Sequence, residues 1–204
     1  MRTINEYRAD MLTILGDASG RRYTNNMLDM GIREALRNYC AFFPKKETIN
    51  MRVSEIDGVS IILSGMLPPD AQILTARNAA GYWLEFADYR TDQKIYLNIY
   101  GKKNMPAVGE NLKLEVAAPH SISGLGPATI TTIPEAHEIM VCKGASGYAM
   151  RIRARSVTEV FGKRPEDREA LMTQADQMIN EYIEALGNAQ PAVYDPLPRG
   201  GFPI

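Results

Sequence analysis

This 204-residue chain could do chemistry through two histidines, two cysteines and a scatter of acids. The histidines are His120 and His137. His137-Glu138 opens like a zinc-protease helix, in which a second histidine one turn further on would share the metal. That place is held by Val141. Cys142 does not share a helical face well with His137. With too few ligands for zinc, no metal is expected, and His137 reads as part of a polar first helical turn. Gly124-Leu125-Gly126 is followed by Pro127, without the Lys-Ser or Lys-Thr of a phosphate loop. Ser146 lies in Gly144-Ala145-Ser146-Gly147, which lacks the spacing of a nucleophile elbow. Small residues in that run would instead let a second helix approach closely. A small hydrolase using Asp70 or Asp88 lacks a nucleophile at hydrogen-bonding spacing from a base. The expectation is a protein without catalytic residues, cofactor or metal.

Composition narrows the class further. Lys and Arg number 23 against 24 Asp and Glu, a net charge of -1. A generally basic nucleic-acid binder is not expected from that balance, although a protein that only surrounds nucleic acid is compatible with it. The chain is 45% hydrophobic and 23% charged, as soluble globular domains are. No apolar run reaches the roughly 18 residues of a membrane span. Arg2, Glu6, Arg8 and Asp10 interrupt the start, so no signal peptide is expected. Cys40 and Cys142 form no disulfide framework, which suits a reducing cytoplasm.

The elements that must position these residues can be read from periodicity. Thr3 and Glu6 form a capping pattern for a first helix, with Ile4, Tyr7, Met11 and Ile14 or Leu15 on one face. Thr24 caps a second, with Leu28, Ile32, Leu36 (or Ala35) and Tyr39 as its stripe, ending by Pro44. A short loop makes these two an antiparallel hairpin. Six runs rich in β-branched and aromatic residues follow, at 48–53, 59–63, 73–77, 82–86, 95–100 and 112–117, punctuated by turn residues such as Asp57-Gly58 and Pro68-Pro69-Asp70. Lys102-Lys103 reads as an exposed hairpin tip. Residues 119–133 read as a Gly/Ser/Pro/Thr linker. Pro134 starts a third helix, with Val141, Ala145, Tyr148 (or Ala149) and Ile152 on one face. Pro165 starts a fourth, closed by Gly187 as C′ residue. Leu171, Ala175, Met178 and Tyr182 give it one stripe, and Met172, Ile179, Ile183 and Leu186 a second, so it can bury against two neighbours.

The tail holds four of the twelve prolines and retains Val193, Tyr194, Leu197, Phe202 and Ile204. It is neither helix nor central strand. Apolar side chains on a stiff extended segment suit an arm that docks on a partner. The expected class is α+β: a helical hairpin plus a C-terminal long helix pair, with an inserted small antiparallel β module and an extended C-terminal arm. The segments are 1–44, the N-terminal hairpin; 45–118, the β module; 119–186, the linker and C-terminal helices; and 187–204, the Pro-rich arm.

That order resembles the head-to-tail adaptor proteins of tailed bacteriophages, the ring proteins under the portal also called tail tubular protein A or gatekeeper. The residues that carry the resemblance are Met30-Gly-Ile-Arg-Glu-Ala-Leu-Arg-Asn-Tyr39 with Phe43-Pro44, and Met66-Leu67-Pro68-Pro69-Asp70 in the β module. They continue in Ile133-Pro134-Glu135-Ala136-His137-Glu138-Ile139-Met140-Val141-Cys142-Lys143-Gly144-Ala145-Ser146, then Phe161-Gly162 and the helix from Pro165 to Leu186. Each motif is short and degenerate, and together they span most of the chain. The resemblance implies a structural virion protein, made in the host bacterial cytoplasm. It implies a homo-oligomeric ring of twelve copies that binds the portal protein and extends the DNA channel. It also implies a docking surface for the tail nozzle or the next neck protein, with no catalytic residues to carry over.

Site expectations follow from joining the two readings. Val193, Tyr194, Leu197, Phe202 and Ile204 are the portal-binding arm. Met172, Ile179, Ile183 and Leu186 are the subunit interface, because a head-to-tail contact closes into a ring. Lys143, Arg151, Arg153 and Arg155 are unmixed with acids, whereas residues 166–184 carry six acids against Arg168. Two helix faces paired across their contact would account for this. Alternatively Glu169, Asp176 and Glu184 face the channel, where like charge lets DNA slide past without binding in a sequence-specific way. The competing expectations are another oligomeric neck or tail protein (head-completion or tail-terminator), a small hydrolase, and a cellular DNA-binding protein.

Overall fold

The computed structural model describes residues 2–65, 67, 71–91, 94–101, 104–156 and 165–189. The fold is α+β. Two N-terminal helices, a seven-stranded antiparallel sheet and two long C-terminal helices follow in that order. Pro44–Pro119 forms one compact unit, and the rest of the described chain forms another.

In the helical unit, α1 (Ile4–Ile14) begins where the Glu6 carboxylate accepts hydrogen bonds from the Thr3 backbone N–H at 2.7 Å and its hydroxyl at 3.0 Å. It buries Ile4, Tyr7 and Met11, and Leu15 rather than Ile14 completes the face. Helix α2 (Asn25–Phe42) is capped by Thr24, whose hydroxyl accepts from the Met27 N–H at 3.3 Å. The loop between them folds on Asp17, whose buried carboxylate accepts from the Arg22 and Tyr23 backbone N–H groups. Arg8 on α1 forms a two-pronged ion pair with Asp29 on α2, with N–O distances of 2.8 and 2.7 Å. The expected hairpin is nevertheless loose. Each of its helices packs chiefly on α3 (Glu135–Ser156), not on the other.

Residues 119–133 depart from the expected linker. Ile122 and Ile133 are buried in the helical core, and Ser123 forms a bridge to Thr3. The segment is folded back on itself: Thr132 Oγ1 accepts from the Ser121 N–H, and Thr131 Oγ1 from the Ser123 N–H. Its hydroxyls satisfy backbone groups that burial would otherwise leave unpaired. The polar composition that suggested a linker is what lets the segment pack.

The other unit is built from β1 (Lys45–Asp57), β2 (Ser60–Ser64), β3 (Gln72–Arg77), β4 (Trp83–Leu84), β5 (Phe86–Arg90), β6 (Ile95–Ile99) and β7 (Asn111–Ala118). All pairs are antiparallel, in the order β4-β3-β7-β1-β2-β6-β5. The two edges, β4 and β5, are separated in the chain by Glu85 alone. One residue spans only about 3.5 Å, so the sheet must curl until its edges meet in a near-closed barrel. Bulges at Val53/Glu55 in β1 and Ile73/Thr75 in β3 supply bending. Inward positions such as Val53, Leu63, Leu97 and Leu114 fill the interior. The tight turn between β1 and β2 has Gly58 at φ +62°, a conformation that favours glycine.

Candidate functional site

The surface that the sequence singles out is the outer flank of α4 (Pro165–Ala189), and its position is set by α3. Helix α3 buries residues on several sides, because α1, α2 and α4 all pack on it. Its small residues make this possible. A Cβ at Gly144 would lie 2.4 Å from Tyr182 of α4, and one at Gly147 would lie 3.0 Å from Ile179. On another side a Cβ at Gly31 of α2 would lie 2.5 Å from the Ala145 carbonyl oxygen. Tyr182 then reaches past α3, and its hydroxyl donates to the Ala35 carbonyl of α2 at 2.8 Å. The run Gly144-Ala145-Ser146-Gly147 therefore admits two helices, not the single one expected.

The core seam of α4 is Ala175, Ile179, Tyr182 and Leu186, spaced at alternating four and three residues. It takes two members from each of the two expected stripes. Ile179 and Leu186 are thereby used within the chain's own core. Met172 and Ile183 stay half-buried, with Ile183 packed against the core margin. The helix also continues through Gly187 to Ala189, so Gly187 is an interior residue and not a C′ cap.

Rotation of about 100° per residue places Glu169, Asp176 and Glu184 within about 80° of one another, beside Met172 and Ile183. Asp176 Oδ1 accepts from Arg151 Nη2 at 2.5 Å and from Nε at 3.1 Å. One acid of the three is thus paired across the α3–α4 contact, as the expectation of paired helix faces has it. Glu169 and Glu184 are exposed and enter no ion pair among the described residues. Arg153, from the basic run of α3, lies over the Tyr23 ring at 4.9 Å. The arm residues Val193, Tyr194, Leu197, Phe202 and Ile204 lie outside the described residues, as do Lys102, Lys103, Asp70, Phe161 and Gly162.

The remaining chemistry-bearing residues are engaged in structure. His137 Nδ1 lies 2.7 Å from the Tyr39 hydroxyl, and burial pushes that phenol up to about 12. His120 packs edge-on against the same ring and its Nδ1 lies 3.0 Å from the Thr132 carbonyl oxygen. Periodicity places Tyr39 on the core face but gives no sign that both histidines converge on it. Cys142 is buried, which pushes its thiol up to about 12 and keeps it protonated near neutral pH. Ser146 is buried and its hydroxyl donates to the Cys142 carbonyl at 2.8 Å. Asp88 pairs with Arg90 at 3.2 Å. Glu138, next to His137, is buried 3.5 Å from the Arg2 guanidinium. Among the described residues, no three His, Cys, Asp or Glu are grouped to hold a metal ion. No helix among them is long and apolar enough to cross a membrane.

No protein-family model matches the chain, and no curated protein matches it.

Proposed function

We propose that this chain is a structural virion protein of a tailed bacteriophage, a head-to-tail adaptor that assembles as a ring beneath the portal and extends the DNA channel. The observation that carries the reading is the order of elements. Two helices, an inserted β module and two long helices with a Pro-rich segment after them are the layout that the motifs resemble. Further support comes from α4. Its seam is satisfied internally, while Met172 and Ile183 retain partly exposed apolar surface beside exposed Glu169 and Glu184. A neighbouring subunit would cover the former, and the latter would present negative charge to passing DNA. The arm, with Val193, Tyr194, Leu197, Phe202 and Ile204, would extend along the portal. The nozzle or next neck protein would dock on another surface of the ring. No catalytic residue, cofactor or metal enters the proposal.

Negative-stain electron microscopy of the purified protein mixed with the portal ring of its phage tests this. A new layer on the portal is expected, and it should be lost when residues 191–204 are removed. A bare portal, with the protein free in the background, would favour a tail-side or capsid-side partner instead.

A further inference from the structure

The outer surface of the barrel carries a row that the adaptor reading does not use. Trp83 on β4 stands opposite Arg77 on β3, Arg77 opposite Lys113 on β7, and Lys113 opposite Asn50 on β1. All four are exposed, and all lie on the face away from the Leu112, Leu114 and Ala76 interior. The next outward row brings Arg52 on β1 between Ser64 on β2 and Asn111 on β7. Neither row contains an acid. Arg77, Lys113 and Arg52 enter no ion pair among the described residues, and Arg52 Nε donates to the Gly109 carbonyl at 3.1 Å. Of the acids nearest in sequence, Glu85 is exposed two residues beyond Trp83, outside the row, and Glu55 lies 3.8 Å from Lys94; the two nearest Lys113 make hydrogen bonds of their own. Glu110 accepts from the Ala79 and Ala107 backbone N–H groups, and Glu115 accepts from the Thr75 hydroxyl. At the end of the row the Arg77 guanidinium lies 3.6 Å over the Trp83 ring, yet Trp83 is 54% exposed and its neighbour Tyr82 57%.

The geometry points to a binding face for single-stranded nucleic acid: phosphates would run along Arg77, Lys113 and Arg52, and a base would stack on Trp83. Strand spacing of about 5 Å sets the cations at short intervals across the sheet. Exposed aromatic rings beside cations bind the unpaired base as well as the phosphate. A duplex keeps its base faces stacked and would use only the cations. An acidic protein segment would likewise leave the ring unused. The near-zero net charge of the whole chain does not bear on this local row, whose cations lack acidic partners.

Trp83 is the only tryptophan of the chain, so intrinsic fluorescence reads the site directly. The full-length protein is titrated with an oligothymidylate of about eight nucleotides at low salt, within the usual site size of a barrel face. Saturable quenching is expected. The logarithm of the affinity should fall against the logarithm of salt concentration with a slope of about -2, from three phosphate contacts. Lys113→Glu should weaken binding about tenfold or more, and Trp83→Ala, followed by anisotropy of a labelled oligonucleotide, about tenfold. Both side chains are exposed, and unchanged far-ultraviolet circular dichroism verifies that the variants fold. Absence of quenching up to about 0.1 mM oligonucleotide, the weak end of non-specific binding, would overturn the proposal. So would quenching that Lys113→Glu leaves unchanged, or an equal response to duplex DNA or polyglutamate. None of these outcomes depends on ring formation or portal binding.

Discussion

Glycine has opposite roles at different places in the helical unit, and the difference lies in what a methyl group would meet. At Gly31 a Cβ would lie 2.5 Å from the Ala145 carbonyl oxygen, and backbone cannot rotate aside. At Gly144 it would enter the Tyr182 ring, which the hydroxyl bond to Ala35 holds in place. Gly187 lies inside α4 with nothing within 4 Å. Replacement of an interior helical glycine by alanine gains up to about 1 kcal/mol when there is room. Overpacking typically costs about 1–3 kcal/mol. Gly31→Ala and Gly144→Ala should therefore lower the urea midpoint, and Gly187→Ala should raise it. A raised midpoint for Gly31→Ala would mean that α2 and α3 are further apart than described. The sequence carries part of this. The run 144–147 reads as a close-packing surface from its residue types alone. That Gly31 is the answering position on α2, or that the run serves two helices, follows only from the three-dimensional arrangement.

At the scale of elements, α4 separates charge that is used from charge that is free. The Arg151–Asp176 pair is partly exposed, with side-chain exposures of 33% and 48%. Such pairs contribute about 0.2–1 kcal/mol, so Asp176→Ala should cost less than about 1 kcal/mol in stability. Glu169 and Glu184 have no partner among the described residues to lose. Reversing both to lysine should change stability by no more than about 0.5 kcal/mol each. In a channel-facing helix the same reversal should slow DNA release from virions, because lysines would bind the phosphates. DNA release and infectivity at wild-type levels, with normal assembly, would remove these acids from the channel. Asp176 is unsuitable for this experiment, since reversing it would also set two cations side by side with Arg151. The four helices were legible because each has a periodic apolar face and a start signal, as Thr3, Thr24 and Pro134 illustrate. Two boundaries were less so. Gly187 looks like a terminus, but without a need for positive φ it is accommodated within the helix. Residues 119–133 have the composition of a linker because their hydroxyls replace missing secondary-structure hydrogen bonds, which composition does not distinguish from solvation.

At the scale of the whole molecule, the chain makes two separate hydrophobic cores from a helical sequence interrupted by an all-β one. Alternation and turn residues foretold six β runs, each of which holds strand, but missed β5 beyond its first residue, Phe86. They did not foretell closure, because closure depends on which strands pair, and the run at 82–86 is the part that settles it. The backbone through Trp83, Leu84, Glu85 and Phe86 leaves the β3 edge and joins the β6 edge, so the run read as one strand holds β4 and only the first residue of β5, the two strands at opposite ends of the sheet. The points where the helical unit enters and leaves the β module are close together. His120 packs on the Tyr39 ring with centroids 5.1 Å apart, and its backbone N–H donates to Cys40 Sγ at 3.1 Å. A short connection can bridge that interval at small loop-closure cost. Replacing residues 45–118 by a Gly-Ser linker of about six residues should leave a helical protein that unfolds cooperatively, with Tyr39 still packed between His120 and His137. Circular dichroism and urea denaturation measure the first property. Amide exchange at His120 measures the second, since its N–H is held by Cys40 only when that junction is intact. An excised protein that is helical but lacks a cooperative transition would show that the helical core needs the β module for unique packing. A cooperative one makes the module separable, and in the adaptor reading it should still bind the portal, because α4 and the segment beyond it are retained.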